Sequence, residues 1–89
     1  MELVNYTEIW VRQVLDEMLA KRRDICTCEQ CRLDMLAMAL NRLKPNYVVS
    51  QHGSVYTKIK MLEQQQNTDV IAEVVKAMEQ VSKNPRHLA

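Results

Sequence analysis

The sequence predicts an all-α protein, a small domain of four helices with one irregular extended loop. The 89 residues include one glycine and two prolines, so the chain has little material for the tight turns of β-rich folds. Apolar residues also recur at helical spacing over most of the chain, which is typical of helices that each bury one face. The length corresponds to a single domain over residues 1–89.

The first predicted helix begins after Asn5, whose side chain suits a helix N-cap. Glu8 follows at the spacing of a capping box, in which a carboxylate reaches back to the N-cap amide. The last turn is predicted to hold Lys21, Arg22 and Arg23, where cations suit the helix dipole. The apolar stripe consists of Val4, Val11, Val14, Leu15, Met18 and Leu19.

Trp10 lies off this stripe, and two positions are open for it. Aromatic residues are enriched at subunit interfaces, and they also cover thin cores. The sequence does not separate these alternatives.

A second helix is predicted to begin near Thr27, because Thr27 and Gln30 have capping-box spacing. Pro45 ends it, since a residue that precedes a proline, here Lys44, is pushed out of helical geometry. Its apolar face consists of Leu33, Leu36, Ala37, Leu40 and Leu43.

The segment Pro45–Tyr56 lacks a helical period and is predicted to be an extended loop or a very short hairpin. A third helix follows over Thr57–Gln65, and Asn67–Asp69 has the features of a new helix start. The fourth helix ends before Pro85. One continuous helix is the alternative, because no breaker separates the two segments. Their inward residues are Ile59 and Leu62, then Ile71, Val74, Val75, Met78 and Val81.

Composition and charge narrow the function classes. The formal net charge is +1, which disfavours nucleic-acid binding. No run approaches the roughly 18 apolar residues of a membrane span, and the first residues do not resemble a signal peptide, so we expect a cytoplasmic protein. So short a chain has a thin core and little room for a catalytic cleft. We therefore expect no enzyme, and a bound metal or a partner chain would stabilise the fold.

All three cysteines lie within six positions, as Cys26-x-Cys28-x-x-Cys31. Clustered thiols in a reducing compartment are better explained by metal binding than by disulfides. Cys28 and Cys31 would share the first turn of the second helix, with Cys26 on the loop that enters it. Three thiolates supply most of a tetrahedral zinc site. The alternative is that they are small buried residues under a helix start.

The fourth zinc ligand is open on the residues alone. His87 lies in the tail after Pro85, and His52 lies beside the only glycine. Asp24 or a water molecule are lesser options. An occupied fourth position would make the site structural, whereas an open one would permit catalysis.

Five ordered motifs resemble the ComFB family of small bacterial proteins, which is named for a late-competence operon. The similarity extends from about Val4 to Pro85. The motifs are Cys26–Asp34, Ala39–Leu43, Pro45–Val48, Val55–Thr57 and Asn67–Val70.

The resemblance implies a homodimer whose cysteine cluster holds zinc. In family members with a further cysteine in the C-terminal tail, that cysteine is a natural fourth ligand. This chain has Arg86-His87-Leu88-Ala89 there instead. The resemblance therefore points to His87 as the substitute.

The family also includes receptors for cyclic dinucleotides such as cyclic di-GMP, which implies a regulatory protein that acts through protein partners. Such a ligand needs cations for its phosphodiesters, flat side chains for its bases and a carboxylate for the guanine edge. Each candidate also has an ordinary role as a core edge or a solvated charge. The candidates are Lys44, Tyr47, Tyr56, Lys58, Asp69 and Arg86.

Two other functions remain as alternatives. A structural or adaptor protein of the competence or motility machinery would need the dimer but no nucleotide. A zinc hydrolase is disfavoured, because three thiolates already donate much charge to the metal and leave it a poor Lewis acid.

Overall fold

Three helices and a two-stranded antiparallel sheet make up the described part of the computed structural model. It describes the backbone of residues 1–50 and 55–85 and the side chains of residues 1–49 and 69–85. The elements in chain order are β1 (Glu2–Asn5), α1 (Tyr6–Ala20), α2 (Glu29–Asn41), β2 (Tyr47–Ser50) and α3 (Val55–Lys83). The protein is mainly helical as predicted, but its described residues form three helices instead of the four predicted, and a two-stranded sheet accompanies them.

The sheet joins the N-terminus to the segment after α2. Its register pairs Leu3 with Val49 and Asn5 with Tyr47. Val4 therefore belongs to β1, and its predicted place in the stripe of the first helix is wrong. Of the two alternatives predicted for Pro45–Tyr56, an extended loop or a very short hairpin, the hairpin is wrong, because β2 pairs with the start of the chain and Val55 begins α3. Residues 51–54 lie outside the described residues.

Asn5 connects the sheet to α1. Its Oδ1 accepts a hydrogen bond from the Thr7 amide at 3.2 Å, which confirms the predicted N-cap, and another from the Asn46 amide at 2.9 Å. Glu8 does not complete a capping box; its carboxylate accepts from Arg12 at 3.2 Å.

α1 ends earlier than the charge pattern predicts. Lys21 is its C-cap, so Arg22 and Arg23 lie beyond the last turn and their predicted placement is wrong. Arg22 instead donates two hydrogen bonds of 2.8 Å to Asp24, with Nε and Nη2 contacting the two carboxylate oxygens. This exposed ion pair lies within the loop that leads to α2.

α2 begins at Glu29, with Cys28 rather than Thr27 as its N-cap. Gln30 does not reach back to the cap, because its amide donates to Asp34 at 3.3 Å. The helix ends at Asn41 with Arg42 as C-cap. The predicted extension of the helix to Leu43 is therefore two residues too long.

The predicted third and fourth helices are one continuous helix, α3. The predicted new start at Asn67–Asp69 is wrong, and the single-helix alternative is confirmed. Neither glycine nor proline occurs between Val55 and Lys83, so nothing interrupts the backbone hydrogen bonds. The helix ends two residues before Pro85, as predicted.

The core lies between the three helices. Trp10 is 1% exposed, so it belongs to this core, which decides between the two predicted positions. Ile71, predicted to face inward, is 38% exposed, whereas Val70 and Ala77 are buried in its place. Leu33 is exposed on α2, where Met35 and Ala39 are buried. The side chains of Ile59 and Leu62 lie outside the described residues.

None of the described helices carries an apolar stretch long enough to span a bilayer.

Candidate metal centre and charged groove

The three cysteines meet at the start of α2, as their spacing predicts. Their Sγ atoms lie within 4.8 Å of one another. Cys26 is half-buried on the entering loop, Cys28 is exposed at the N-cap, and Cys31 is buried in the first turn. We call these residues the cysteine triad.

Cys28 is held in place by the backbone of the helix that it caps. Its Sγ accepts a hydrogen bond from the Cys31 amide at 3.5 Å, and its carbonyl accepts from the Arg32 amide at 2.9 Å. Free amides at a helix N-terminus favour negative charge. The sequence therefore places a sulfur where a helix start stabilises a thiolate.

The thiols of the triad differ in acidity. The pKa of Cys28 is lowered mainly because the Cys31 backbone amide donates a hydrogen bond to its sulfur. A hydrogen bond with the Cys26 thiol lowers it further. Burial is the main reason that the pKa of Cys31 is raised to about 12, and the neighbouring Cys26 and Cys28 thiols are the second reason. A cation between the sulfurs would offset the cost of ionising the buried thiol, which is what a metal site provides.

The spacing of the triad fits a tetrahedral thiolate site. A Zn–S bond of about 2.3 Å corresponds to sulfurs about 3.8 Å apart in a tetrahedron. Sulfurs already within 4.8 Å of one another reach that spacing by small side-chain rotations. The triad can therefore hold a metal ion, and its thiol donors favour a soft or borderline ion.

The described residues do not place any of the predicted fourth ligands at the cysteine triad. Asp24 is engaged by Arg22, whose guanidinium lowers the pKa of that carboxyl to about 2. His52 and His87 lie outside the described residues. Within the described residues, the clustered ligand atoms are the three sulfurs.

An ion pair fixes the triad-bearing end of α2 against α1. Arg32, next to Cys31, donates from Nε and Nη2 to Asp16 at 2.7 and 3.1 Å. These hydrogen bonds lower the pKa of Asp16. Two bonds between planar groups set the orientation of the first turn more tightly than a single contact does.

A groove of about 460 Å³ lies at the opposite end of α2. It brings together Lys44 and Asp69, two predicted ligand-binding residues that are distant in the sequence. We call it the charged groove. The described residues that line it are Arg42, Leu43, Lys44, Asp69, Ala72, Glu73 and Lys76.

Glu73 organises the cations of the charged groove. Its carboxylate lies 4.0 Å from Nη1 of Arg42 and 3.6 Å from Nζ of Lys76, and its side chain is only 19% exposed. The Lys44 backbone is also fixed, because the buried Thr7 hydroxyl donates to its carbonyl at 3.0 Å. Glu73 therefore lies near two cations of the groove, and the third, Lys44, is anchored at its backbone.

The sequence did not single out Arg42, Glu73 or Lys76. Arg42 belongs to the family motif Ala39–Leu43, so that motif was an available signal. Glu73 and Lys76 lie on the polar side of an amphipathic helix, where local pattern does not separate a site residue from a solvated charge.

The other predicted ligand-binding residues are not brought to the groove by the described geometry. Tyr47 is 62% exposed on β2 and does not belong to the described lining. Tyr56 and Lys58 lie in α3, but their side chains are outside the described residues, as is the whole of Arg86.

A second groove of about 420 Å³ shares Arg42 with the first. It lies between α2 and the end of α3 and is rich in side-chain amides. The sequence does not indicate this groove, because its lining residues come from α2 and α3, which are distant in the chain. The described lining is Asp34, Ala37, Met38, Asn41, Arg42, Gln80, Val81 and Asn84.

Comparison with known proteins gives consistent similarities. Residues 4–85 match the family described as late competence development protein ComFB. The chain is 34% identical over 86 residues to the competence protein ComFB of Bacillus subtilis (strain 168), which covers 97% of this chain and 88% of the relative. It also matches a solved structure of the late competence protein ComFB from Bacillus subtilis, with a TM-score of 0.80, 33% identity and 99% of both chains covered.

Proposed function

Because the chain belongs to the ComFB family of late competence development proteins, we propose that it is a non-enzymatic regulator that binds a cyclic dinucleotide such as cyclic di-GMP and acts through a protein partner. The observation that supports this function is the charged groove, in which Lys44 and Asp69 meet Arg42 and Lys76. The groove volume of about 460 Å³ lies in the range of small-molecule sites.

The charges of the groove suit a dianionic ligand. Glu73 neutralises part of the positive charge of Arg42 and Lys76. Lys44 is an exposed cation of the groove that forms no ion pair with a carboxylate among the described side chains, so it is open to a phosphodiester. Arg42 has the planar fork of donors that binds phosphate oxygens in pairs. The exposed Asp69 can accept the N–H donors of a guanine edge.

The second groove supports a ligand with two bases. It adjoins the charged groove at Arg42 and is lined by the amides of Asn41, Gln80 and Asn84. Amides both donate and accept hydrogen bonds, as a purine edge requires. We propose that one phosphodiester contacts Arg42 and that one base enters each groove.

The cysteine triad is proposed to hold zinc, with His87 as the fourth ligand. Zinc prefers thiolate and imidazole donors in a tetrahedron, and the triad supplies three sulfurs within 4.8 Å of one another. A closed site of this kind would tie the loop at Cys26 to α2. Its role is therefore structural.

A homodimer is the assembly in this proposal. The face of the sheet that carries Leu3, Tyr47 and Val49 is exposed and uncharged, with Leu3 and Val49 directly paired. A two-fold interface needs a self-complementary surface, and two-stranded sheets need further packing for stability. Light scattering should therefore give twice the 10.4 kDa chain mass, and Val49→Lys should return the protein to a monomer.

Titration calorimetry with cyclic di-GMP tests the ligand. Wild type should release or absorb heat and saturate. Lys44→Glu should weaken binding about 10–100-fold, because a hydrogen bond to a charged group is worth about 1.5–3 kcal/mol. Lys21→Glu is the matched control, since Lys21 is an exposed lysine at the end of α1, and it should bind as wild type does.

An adaptor without a nucleotide ligand is the second candidate, favoured by the same exposed sheet face. It predicts no heat with high micromolar cyclic di-GMP and unchanged partner binding in Lys44→Glu. That pair of results would overturn the receptor proposal.

A further inference from the structure

The two cysteines of the C-x-x-C segment have unequal access to solvent. Cys28 is exposed at the N-cap of α2, whereas Cys31 is 1% exposed. Their sulfurs lie within 4.8 Å of each other, and the Cys31 amide already contacts the Cys28 sulfur at 3.5 Å. A soluble oxidant can therefore reach the outer sulfur, while the inner sulfur is shielded and adjacent.

We propose that Cys28 and Cys31 form a reversible disulfide in response to a peroxide-class oxidant, so that the cysteine triad is a thiol redox switch. The disulfide requires no metal. Only its consequence for a bound ion rests on the zinc site in the proposed function.

The first step oxidises the exposed sulfur. The Cys28 sulfur attacks one oxygen of hydrogen peroxide, an S–O bond forms, and the O–O bond breaks. The product is a sulfenic acid at Cys28. The departing hydroxide takes the proton released by the Cys28 thiol and becomes water.

The second step closes the disulfide. The Cys31 sulfur attacks the Cys28 sulfur, an S–S bond forms, and the S–O bond breaks. The departing hydroxide takes the Cys31 proton and becomes a second water. Together the two sulfurs have lost two electrons, and the two peroxide oxygens have gained them.

The required movement is small. The sulfurs must approach from at most 4.8 Å to the bond length of about 2.05 Å, which rotation of the exposed Cys28 side chain can supply. Cys26 is the third thiol and is not needed for the bond, so it provides the control.

Disulfide formation would abolish metal binding by the cysteine triad. A disulfide sulfur carries no negative charge and is no longer a thiolate ligand. Cys26 would be the only remaining thiolate, and a zinc ion held by three sulfurs would be released. The first turn of α2 would then respond to oxidation through the loss of the ion.

The test uses the full chain after metal removal, treated with one equivalent of hydrogen peroxide. We expect two of the three thiols to disappear from a thiol assay and to return with dithiothreitol. Trypsin and a glutamyl endopeptidase together cut after Arg23, Glu29 and Arg32. The fragment 24–29 should then be recovered joined to the fragment 30–32. Because the fragment 24–29 contains both Cys26 and Cys28, the same joined pair in Cys26→Ser assigns the bond to Cys28 and Cys31.

Variants separate this bond from the alternatives. Cys26→Ser should still lose two thiols, whereas Cys31→Ala should give no joined fragments, with its helix content checked by circular dichroism. A bond from Cys26 to either Cys28 or Cys31, bonds between chains, or irreversible oxidation without joined fragments would each overturn the proposal. The joined fragments in wild type do not depend on whether Cys31→Ala folds.

A second arm uses zinc-loaded protein and a zinc-sensitive dye. Release of zinc together with the Cys28–Cys31 bond supports the switch, and retention of zinc after the bond forms overturns its link to the metal. A chain that never binds zinc overturns the proposed metal site, while the disulfide result from the metal-free chain stands independently.

Discussion

The two ends of α2 differ in how their functional residues are assembled. At the N-terminal end, the cysteine triad comes from six consecutive positions. At the C-terminal end, the charged groove combines Arg42 and Lys44 with Asp69, Glu73 and Lys76 from α3. The first depends on local backbone geometry and the second on helix packing.

The helix dipole suits the chemistry of both ends. The N-terminal amides lower the pKa of Cys28 and favour a thiolate. The C-terminal carbonyls favour the cations Arg42 and Lys44 that follow the last turn. One helix therefore favours an anionic metal ligand at its start and an anion-binding group at its end.

The largest expected effect is the loss of metal binding at the N-terminal end of α2, with the C-terminal end unchanged. Cys28→Ser should lower zinc affinity more than about 100-fold, since even the loss of a partner outside the metal shell costs about 10–100-fold. Serine is itself a good N-cap, so loss of capping would not explain the result. Zinc content and the melting temperature are the measurements.

Thr27→Ser is the control for this variant, because Thr27 is the exposed neighbour of Cys28 and does not cap the helix. Unchanged zinc content and melting temperature in Cys28→Ser would show that the triad holds no structural ion.

Ionic strength should affect ligand binding at the two ends of α2 differently, and the effect should be smaller than that of Cys28→Ser. Raising salt from about 0.01 M to about 0.15 M shortens the screening length from about 30 Å to about 8 Å. Cyclic di-GMP affinity at the charged groove should fall several-fold, because its contacts are partly exposed charges. Zinc content should stay constant, since coordination bonds are not screened in this way. Loss of zinc with salt, measured by dialysis and elemental analysis, would contradict this distinction.

The smallest expected effect concerns the ion pair that holds the N-terminal end against α1. The Arg32 guanidinium lowers the pKa of Asp16 in the folded protein from the usual 3.8. The ion pair therefore stabilises the fold above pH 3.8 and loses this contribution as the pH falls below that value through the folded pKa.

Asp16→Asn should accordingly cost less than about 1 kcal/mol at neutral pH, because both side chains are partly exposed. The difference in the free energy of unfolding from wild type should shrink in acid. Glu8→Gln removes the exposed Arg12 pair within α1 and is the matched control. An Asp16→Asn difference that grows as the pH falls would contradict the assignment.

Local sequence was sufficient for the parts of the molecule that depend on neighbouring residues. Asn5 predicts the start of α1 because its side chain reaches an amide two residues away. The cysteine spacing predicts the triad because one helical turn brings Cys28 and Cys31 together. The absence of glycine and proline over α3 permits the continuous helix. The helix-start signal at Asn67 was misleading, because packing of the buried Val70 and Val74 outweighs a local cap.

Only the tertiary structure decided the rest. The residues of β2 have strand propensity, but their partner lies at the start of the chain, and the Asn5–Asn46 hydrogen bond that supports this pairing spans 41 positions. The charged groove exists only where the end of α2 meets α3, so Lys44 and Asp69 are neighbours for a reason that no local pattern contains. Spacing along a chain determines contacts within a turn or two, whereas contacts between distant elements depend on which apolar faces pack together.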